Sequence, residues 1–188
     1  MNENSYQDFN YKQIKNQNYE NLKKENIFFK WGKIDNSIFL HSSILDSDIG
    51  ESLIENSTFN KSNLKNVKNF HGRFIKCNFK ELDLENYDGR DNIFEECIFN
   101  DITFKKSTLR GSKFTSCIFK NCNFENCDIK KISFENSSLS NINFHQCDLF
   151  MANFKDAISE KVLVSKSNTF LIKLNKDRSK EFSILESS

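Results

Sequence analysis

Six cysteines and three histidines are the residues of this chain best equipped for chemistry, and their spacing limits what they can do. Cys77, Cys97 and Cys117 are separated by twenty residues each, as are Cys127 and Cys147, with Cys122 five before Cys127. A zinc site draws on thiolates a few residues apart, and no CxxC pair is present. There is no phosphate-binding glycine loop, dinucleotide fingerprint or GxSxG elbow. Catalysis, a metal and a bound cofactor are therefore not expected, and the thiols read as packing groups.

The intervals between those cysteines are multiples of five, and that period runs through the chain. Every fifth position from Phe29 to Phe154 holds a large apolar residue, except Asn69 and Gly89. Two residues before each lies a second, mostly small column, from Ser37, Ser42 and Ser47 to Cys127, Cys147 and Ala152. All six cysteines belong to it. His41, His71 and His145 fall in outward columns on three different faces, so they do not converge on a metal or on one nucleophile.

A period of five suits no straight element. On a helix, successive fifth residues rotate by about 140° and never make a stripe. On a straight strand, alternate members point to opposite faces. The pattern is consistent only if the chain bends once per repeat and turns each fifth side chain inward. Four bends close a square coil of twenty residues, and stacked coils pair at roughly 4.8 Å. Proline is absent, glycine numbers five and phenylalanine twenty. Asn, Asp, Ser and Lys must then supply one turn type, repeated many times.

The triplets Cys77-Asn78-Phe79, Cys122-Asn123-Phe124, Cys127-Asp128-Ile129, Cys147-Asp148-Leu149 and Ala152-Asn153-Phe154 resemble the pentapeptide repeat family, whose pattern is Ala-Asp/Asn-Leu/Phe-X-X. The resemblance covers residues 34 to 154 and implies an all-β fold, a right-handed quadrilateral β-helix. The chain departs from the family pattern in replacing alanine with Ser and Cys. Larger residues (Val67, Leu82, Tyr87, Ile102, Ile132 and Ile142) imply local widening of the coil. A solenoid from 29 to 154 makes about six and a half coils, or roughly 30 Å of rod.

Residues 1–28 are expected to form an N-terminal cap or a partly disordered segment, with Tyr6, Phe9, Ile14, Tyr19 and Leu22 as a loose amphipathic surface. Residues 155–188 are expected to cap the other end, with Phe170, Ile172 and Leu174 alternating as in a strand and Phe182 and Ile184 continuing it. The resemblance implies a homodimer contact in that C-terminal segment. Asn69 and Gly89 stack one coil apart, and two readings stand for them: a bulge, or a groove or loop used for recognition. Phe70 and Tyr87 are the neighbours expected to fill the missing volume. There is no long apolar run to span a membrane and no apolar leader, so a cytoplasmic location is expected.

Formal charge is +1, but it is banded. Five carboxylates between residues 34 and 60 are followed by six cations from Lys61 to Lys80. An acidic belt follows, Glu81, Asp83, Glu85, Asp88, Asp91, Glu95, Glu96 and Asp101, then a basic one from Lys105 to Lys120. Adjacent belts either neutralise one another or orient a partner. Some members of the family resemble B-form DNA and bind type II topoisomerases such as DNA gyrase. The resemblance thus implies a non-catalytic protein-interaction module, with DNA gyrase or topoisomerase IV as a candidate partner and the acidic belt as candidate contact. The alternative is a general scaffold, a secreted effector or an adaptor. Direct nucleic-acid binding is disfavoured, because acidic belts interrupt any phosphate track.

Overall fold

One backbone conformation, recurring every fifth residue, closes the coil. From Tyr11 to Leu171 each residue in this register has a positive φ, between 47° and 72°. Gly and Asn enter this left-handed region most readily, and Asn is the commonest residue there, while only Gly111 is glycine. The conformation costs a bulky residue roughly 1 kcal/mol or more. Cross-coil hydrogen bonding offsets it: the N–H of Asn56 donates to the carbonyl of Ile75 at 2.9 Å, and that of Asn86 to Lys105 at 3.0 Å.

The computed structural model describes residues 7–175 and 182–185, which form a parallel β-solenoid of about nine turns. Each coil has four faces, and the register is twenty residues throughout: Phe59 lies over Phe39 and under Phe79, and Phe94 between Phe74 and Phe114. The second face is a sheet of six strands, from Gln13–Lys15 to Lys113–Thr115. The third face belongs to a sheet of nine strands that begins at Asn18–Glu20, runs on into the fourth face and ends there at Phe182–Leu185. No described helix is long and apolar enough to cross a membrane.

Four large residues in the small column find room at one corner, while Val67, Tyr87 and Ile132 are buried at others. Leu82, Ile102, Ile142 and Val162 are buried where the third and fourth faces run on as single strands, Asn78–Glu85, Ile98–Lys105, Ser138–His145 and Ile158–Ser165. Inside, the rings form ladders. Phe79, Phe99 and Phe119 stack at 4.9 and 4.4 Å, Phe74, Phe94 and Phe114 at 4.6 and 4.5 Å, and the two ladders meet edge to face. Each buried ring contributes on the order of 1.5–3 kcal/mol of transfer free energy.

The small column explains why serine and cysteine replace alanine. Ser137 Oγ donates to the carbonyl of Phe114 and accepts the N–H of Cys117 in the coil below, both at 3.0 Å. Ser57 likewise accepts from Ser37 N–H and Ser107 from Tyr87 N–H. The hydroxyl satisfies a corner amide that would otherwise be buried without a partner. Thiols take the same place, Cys117 Sγ lying 3.4 Å from the carbonyl of Phe94.

The expected boundaries differ from the observed ones. The described coils already include residues before 29: Gln7–Asp8, Gln13–Lys15, Asn18–Glu20 and Lys23–Glu25 pair with the second coil in register. Tyr6 lies outside the described residues. At the other end Ile158–Ser165 pairs with Ser138–His145 along its whole length, burying Ala157, Val162 and Val164, so the solenoid runs on past residue 154. Phe170, Ile172 and Leu174 do not form a strand; Asn168 and Lys173 make isolated bridges in a further coil. Phe182–Leu185 pairs with Val162–Ser165, and the Phe182 ring meets that of Phe154 at 5.0 Å.

Asn69 and Gly89 open neither a bulge nor a groove. Bridges continue from Asp48 through Lys68 and Asp88 to Thr108, and Asn69 and Gly89 donate their N–H groups across coils at 2.7 and 2.8 Å. Tyr87 fills the missing volume, its ring lying where a Cβ on Gly89 would stand. Its phenol oxygen accepts from Asn69 Nδ2 at 3.1 Å and from Asn92 Nδ2 at 3.4 Å. Asn92 Oδ1 in turn accepts the Gly72 N–H at 2.7 Å, the part a serine hydroxyl plays elsewhere. Phe70 takes no part in this; it packs outside the core, over Gly50.

Candidate interaction surface

The side chains that might do chemistry are either sealed or dispersed. All six cysteines are free and buried. Burial pushes the Cys122 thiol up to about 12, and the hydrogen bond to Cys117, with burial, does the same for Cys97. Such thiols are poor nucleophiles and poor ligands. His41 and His71 occupy two different corners, and His145, on a third side, bonds Ser165 Oγ at 2.8 Å. Among the described residues no group of three or more His, Cys, Asp or Glu is placed to hold a metal ion.

The acidic belt encircles the rod rather than lining one face. Glu81, Asp83, Glu85 and Asp101 share the fourth face and the corner before it. Asp88 and Asp91 lie on and just after the first face, and Glu95 and Glu96 on and just after the second. The basic coil beneath neutralises most of them. Lys65 meets Glu85 at 2.8 Å, Arg73 meets Glu95 at 3.2 Å, Lys61 and Lys80 hold Glu81, and Lys76 meets Glu96 at 3.8 Å. Asp88 pairs with Arg90 at 2.7 Å, and His71 stands 3.9 Å from Asp91. The hydrogen bond from Lys65 holds the Glu85 carboxyl below its ordinary value. Among the described residues Asp83 and Asp101 carry no ion pair; Asp101 accepts amide hydrogen bonds from Asn100 and Asn121.

A different strip appears when the surface is read along the rod. The corner after the first face carries Lys30, Phe70, Arg90, Arg110, Lys130, Phe150 and Phe170 in one row, with Gly50 the only gap. Lys30 Nζ lies 4.7 Å from the Trp31 ring and 5.2 Å from Phe70, and Trp31 stacks on Tyr11 at 5.1 Å. Arg110 and Lys130 are tied to Asp128 and Asp148. At the C-terminal end Phe150 stacks on Phe170 at 6.0 Å outside the core, beside exposed Met151 and Leu171. Twenty-residue spacing in the sequence was the signal for this row; counting charge coil by coil hides it.

Residues 69–144 and 98–174 match a family profile described as a pentapeptide repeat region. No curated protein matches the chain. Among solved structures it is similar to HetL, a pentapeptide repeat protein involved in heterocyst differentiation regulation from the cyanobacterium Nostoc sp. strain PCC 7120. The identity is 11%, over 90% of this chain and 86% of that one, with a TM-score of 0.45. A trypsin-treated form of QnrB1, a plasmid-mediated fluoroquinolone resistance protein, is similar at 12% identity over 94% of this chain and 90% of that one, with a TM-score of 0.46. With the matched regions spanning more than half of its length, and an unbroken five-residue register, the chain belongs to the pentapeptide repeat proteins.

Proposed function

We propose that this chain is a non-catalytic protein-interaction rod whose contact strip is the corner after the first face. One observation carries the reading: the C-terminal end of that corner exposes Phe170 and Leu171 by 64% and 54%, beside Phe150 and Met151. No neighbouring coil covers this group among the described residues. Contiguous exposed aromatic surface flanked by cations is the composition of interface centres.

For the partner, the finer reading is a type II topoisomerase, DNA gyrase or topoisomerase IV, and family membership is its support. For that partner alone the acidic belt, in place of the strip, is the proposed contact, but as a DNA mimic it is only partial, because most of its carboxylates are already paired within the rod. A second copy joined through the C-terminal end is the other proposed partner, with Ile184 and Leu185 exposed at the edge of the nine-stranded sheet.

A gyrase supercoiling assay with titrated protein, with and without a quinolone, tests the topoisomerase reading. Inhibition or rescue at low micromolar protein, lost on Asp83→Lys with Asp101→Lys, is the expected result; no effect at any concentration removes gyrase and leaves the scaffold. Affinity capture comparing the natural chain with Phe150→Asp/Phe170→Asp then tests the strip. A partner set identical for both would sink it. Light scattering on the natural chain and on Leu185→Asp tests the dimer, which fails if both are monomers.

A further inference from the structure

The N-terminal end of the rod holds a feature that interaction along its side does not use. In the first coil the inward column reads Phe9, Ile14, Tyr19 and Lys24. Lys24 lies directly beneath Ile44 in register, at a position that is apolar in the seven coils above it, up to Val164. Its amine lies 3.2 Å from Gln7 Oε1, and no described carboxylate is within ion-pair reach. Behind it is a cavity of about 130 Å³, whose walls are apolar side chains, among them Ile34, Ile44, Ile54 and Phe59, with Lys24 the one charged group.

The cavity has a cause in the sequence. In the middle of the rod the inward columns are Phe ladders that fill the shaft, and the cavity there is only about 30 Å³. In the second and third coils five of the eight inward residues, Ile34, Ile44, Ile49, Ile54 and Leu64, are shorter than Phe, and the axis beside Phe29, Phe39 and Phe59 stays open. Among the described residues nothing pairs with the outer edge of the first coil, and Lys24 borders the shaft at that edge, its mouth among the described residues.

We propose that this mouth binds a small amphiphilic carboxylate, its apolar part between Ile34, Ile44 and Ile54 and its head on the Lys24 amine. The size follows from volume: a dry apolar cavity of roughly 150 Å³ accepts benzene, so the shaft takes an alkyl chain of about six carbons or one phenyl ring. The charge follows from Lys24, since a lone ammonium at an apolar rim is complementary to an anion and gains a charge-assisted hydrogen bond from it. The same amine disfavours a cationic head and leaves a neutral one with little gain.

The test is titration calorimetry on the full chain with hexanoate, 3-phenylpropionate, hexanol and hexylamine. Saturable one-to-one binding of both carboxylates is expected, with hexanol weaker and hexylamine absent. Lys24→Met should weaken hexanoate by roughly tenfold while leaving hexanol unchanged, and Ile54→Phe should abolish both. Carbon-13 methyl spectra of the natural chain give a readout independent of any variant: hexanoate should shift Ile14, Ile34 and Ile44 and leave Ile142 and Val162 in place. No saturable binding of either carboxylate, equal affinity in Lys24→Met, or shifts at the C-terminal methyls would each overturn the assignment.

Discussion

The phenol oxygen of Tyr87 accepts a hydrogen bond from the Asn69 amide at 3.1 Å, tying a residue of the small column to an inward residue of the coil below. Asn69, Gly72, Tyr87, Gly89 and Asn92 form one compensated set. The ring of Tyr87 needs the absent side chain of Gly89, and a Cβ on Gly72 would collide with Asn69 Oδ1. Tyr87→Phe should destabilise the fold by about 1–3 kcal/mol, because two buried amides lose their acceptor. Asn69→Leu alone should also destabilise. The double variant should lose less than the sum, read from urea midpoints in a double-mutant cycle.

Hydroxyls in the small column should matter through the amide they satisfy. Ser137→Ala strips Cys117 N–H of its partner and should lose about 1–2 kcal/mol. Ser137→Cys should lose less than Ser137→Ala, since thiols occupy the same place in neighbouring coils. Equal losses for the two variants in chemical denaturation would contradict this account of the column.

Left-handed corners set a second test. Asn126 is exposed at φ 53°, and its side chain makes no hydrogen bond among those described. Asn126→Val should be destabilised by about 1–2 kcal/mol through backbone strain alone, whereas Asn126→Gly should stay within a few tenths. Thermal melts of the two variants measure the difference.

The Lys65–Glu85 pair should give a two-sided pH response. Glu85 is held below its ordinary 4.5, chiefly by the hydrogen bond from Lys65, so its contribution is complete above that value and fades as pH falls through the lowered one. Lys65 is held above 10.5 by the same contact, so its contribution is complete below that value and fades as pH rises through the raised one. Lys65 is exposed and Glu85 half-buried at the surface, so solvent screens the pair and the effect is small. Glu85→Gln should flatten the urea midpoint between about pH 5 and pH 3; an unchanged slope there would remove the pair as a source of it.

The solenoid was legible wherever burial enforces the pattern. From Phe29 to Phe154 each inward residue is walled by coils on both sides, so composition follows geometry. The first coil is not legible in the sequence because it has a neighbour on one side only among the described residues. Its small column is Gln7, Lys12, Gln17 and Leu22, and Lys24 breaks the apolar register. Ser159 and Thr169 blur the far end in the same way. Tyr87 was recognisable as filler for Gly89, but the part of Asn92 was not, since an asparagine in the small column has no meaning until the Gly72 amide is seen opposite it. The acidic belt was real as a count and dispersed as a surface, because five residues of chain turn the coil through one side.

The twenty-residue register also restricts how such a chain can change length. Adding or losing one whole coil shifts everything beyond it by about 4.8 Å along the axis and leaves each side chain facing its former direction. Adding or losing a single five-residue unit keeps the core columns intact but rotates all downstream surface by a quarter turn, separating Lys65 from Glu85 and Phe150 from Phe170 whenever the change falls between them. Both kinds of change keep large residues in the inward column; only the first preserves the order of contacts along a side. Rods of this kind can therefore grow by duplication without rewriting their surface, provided the copied length is a full circuit.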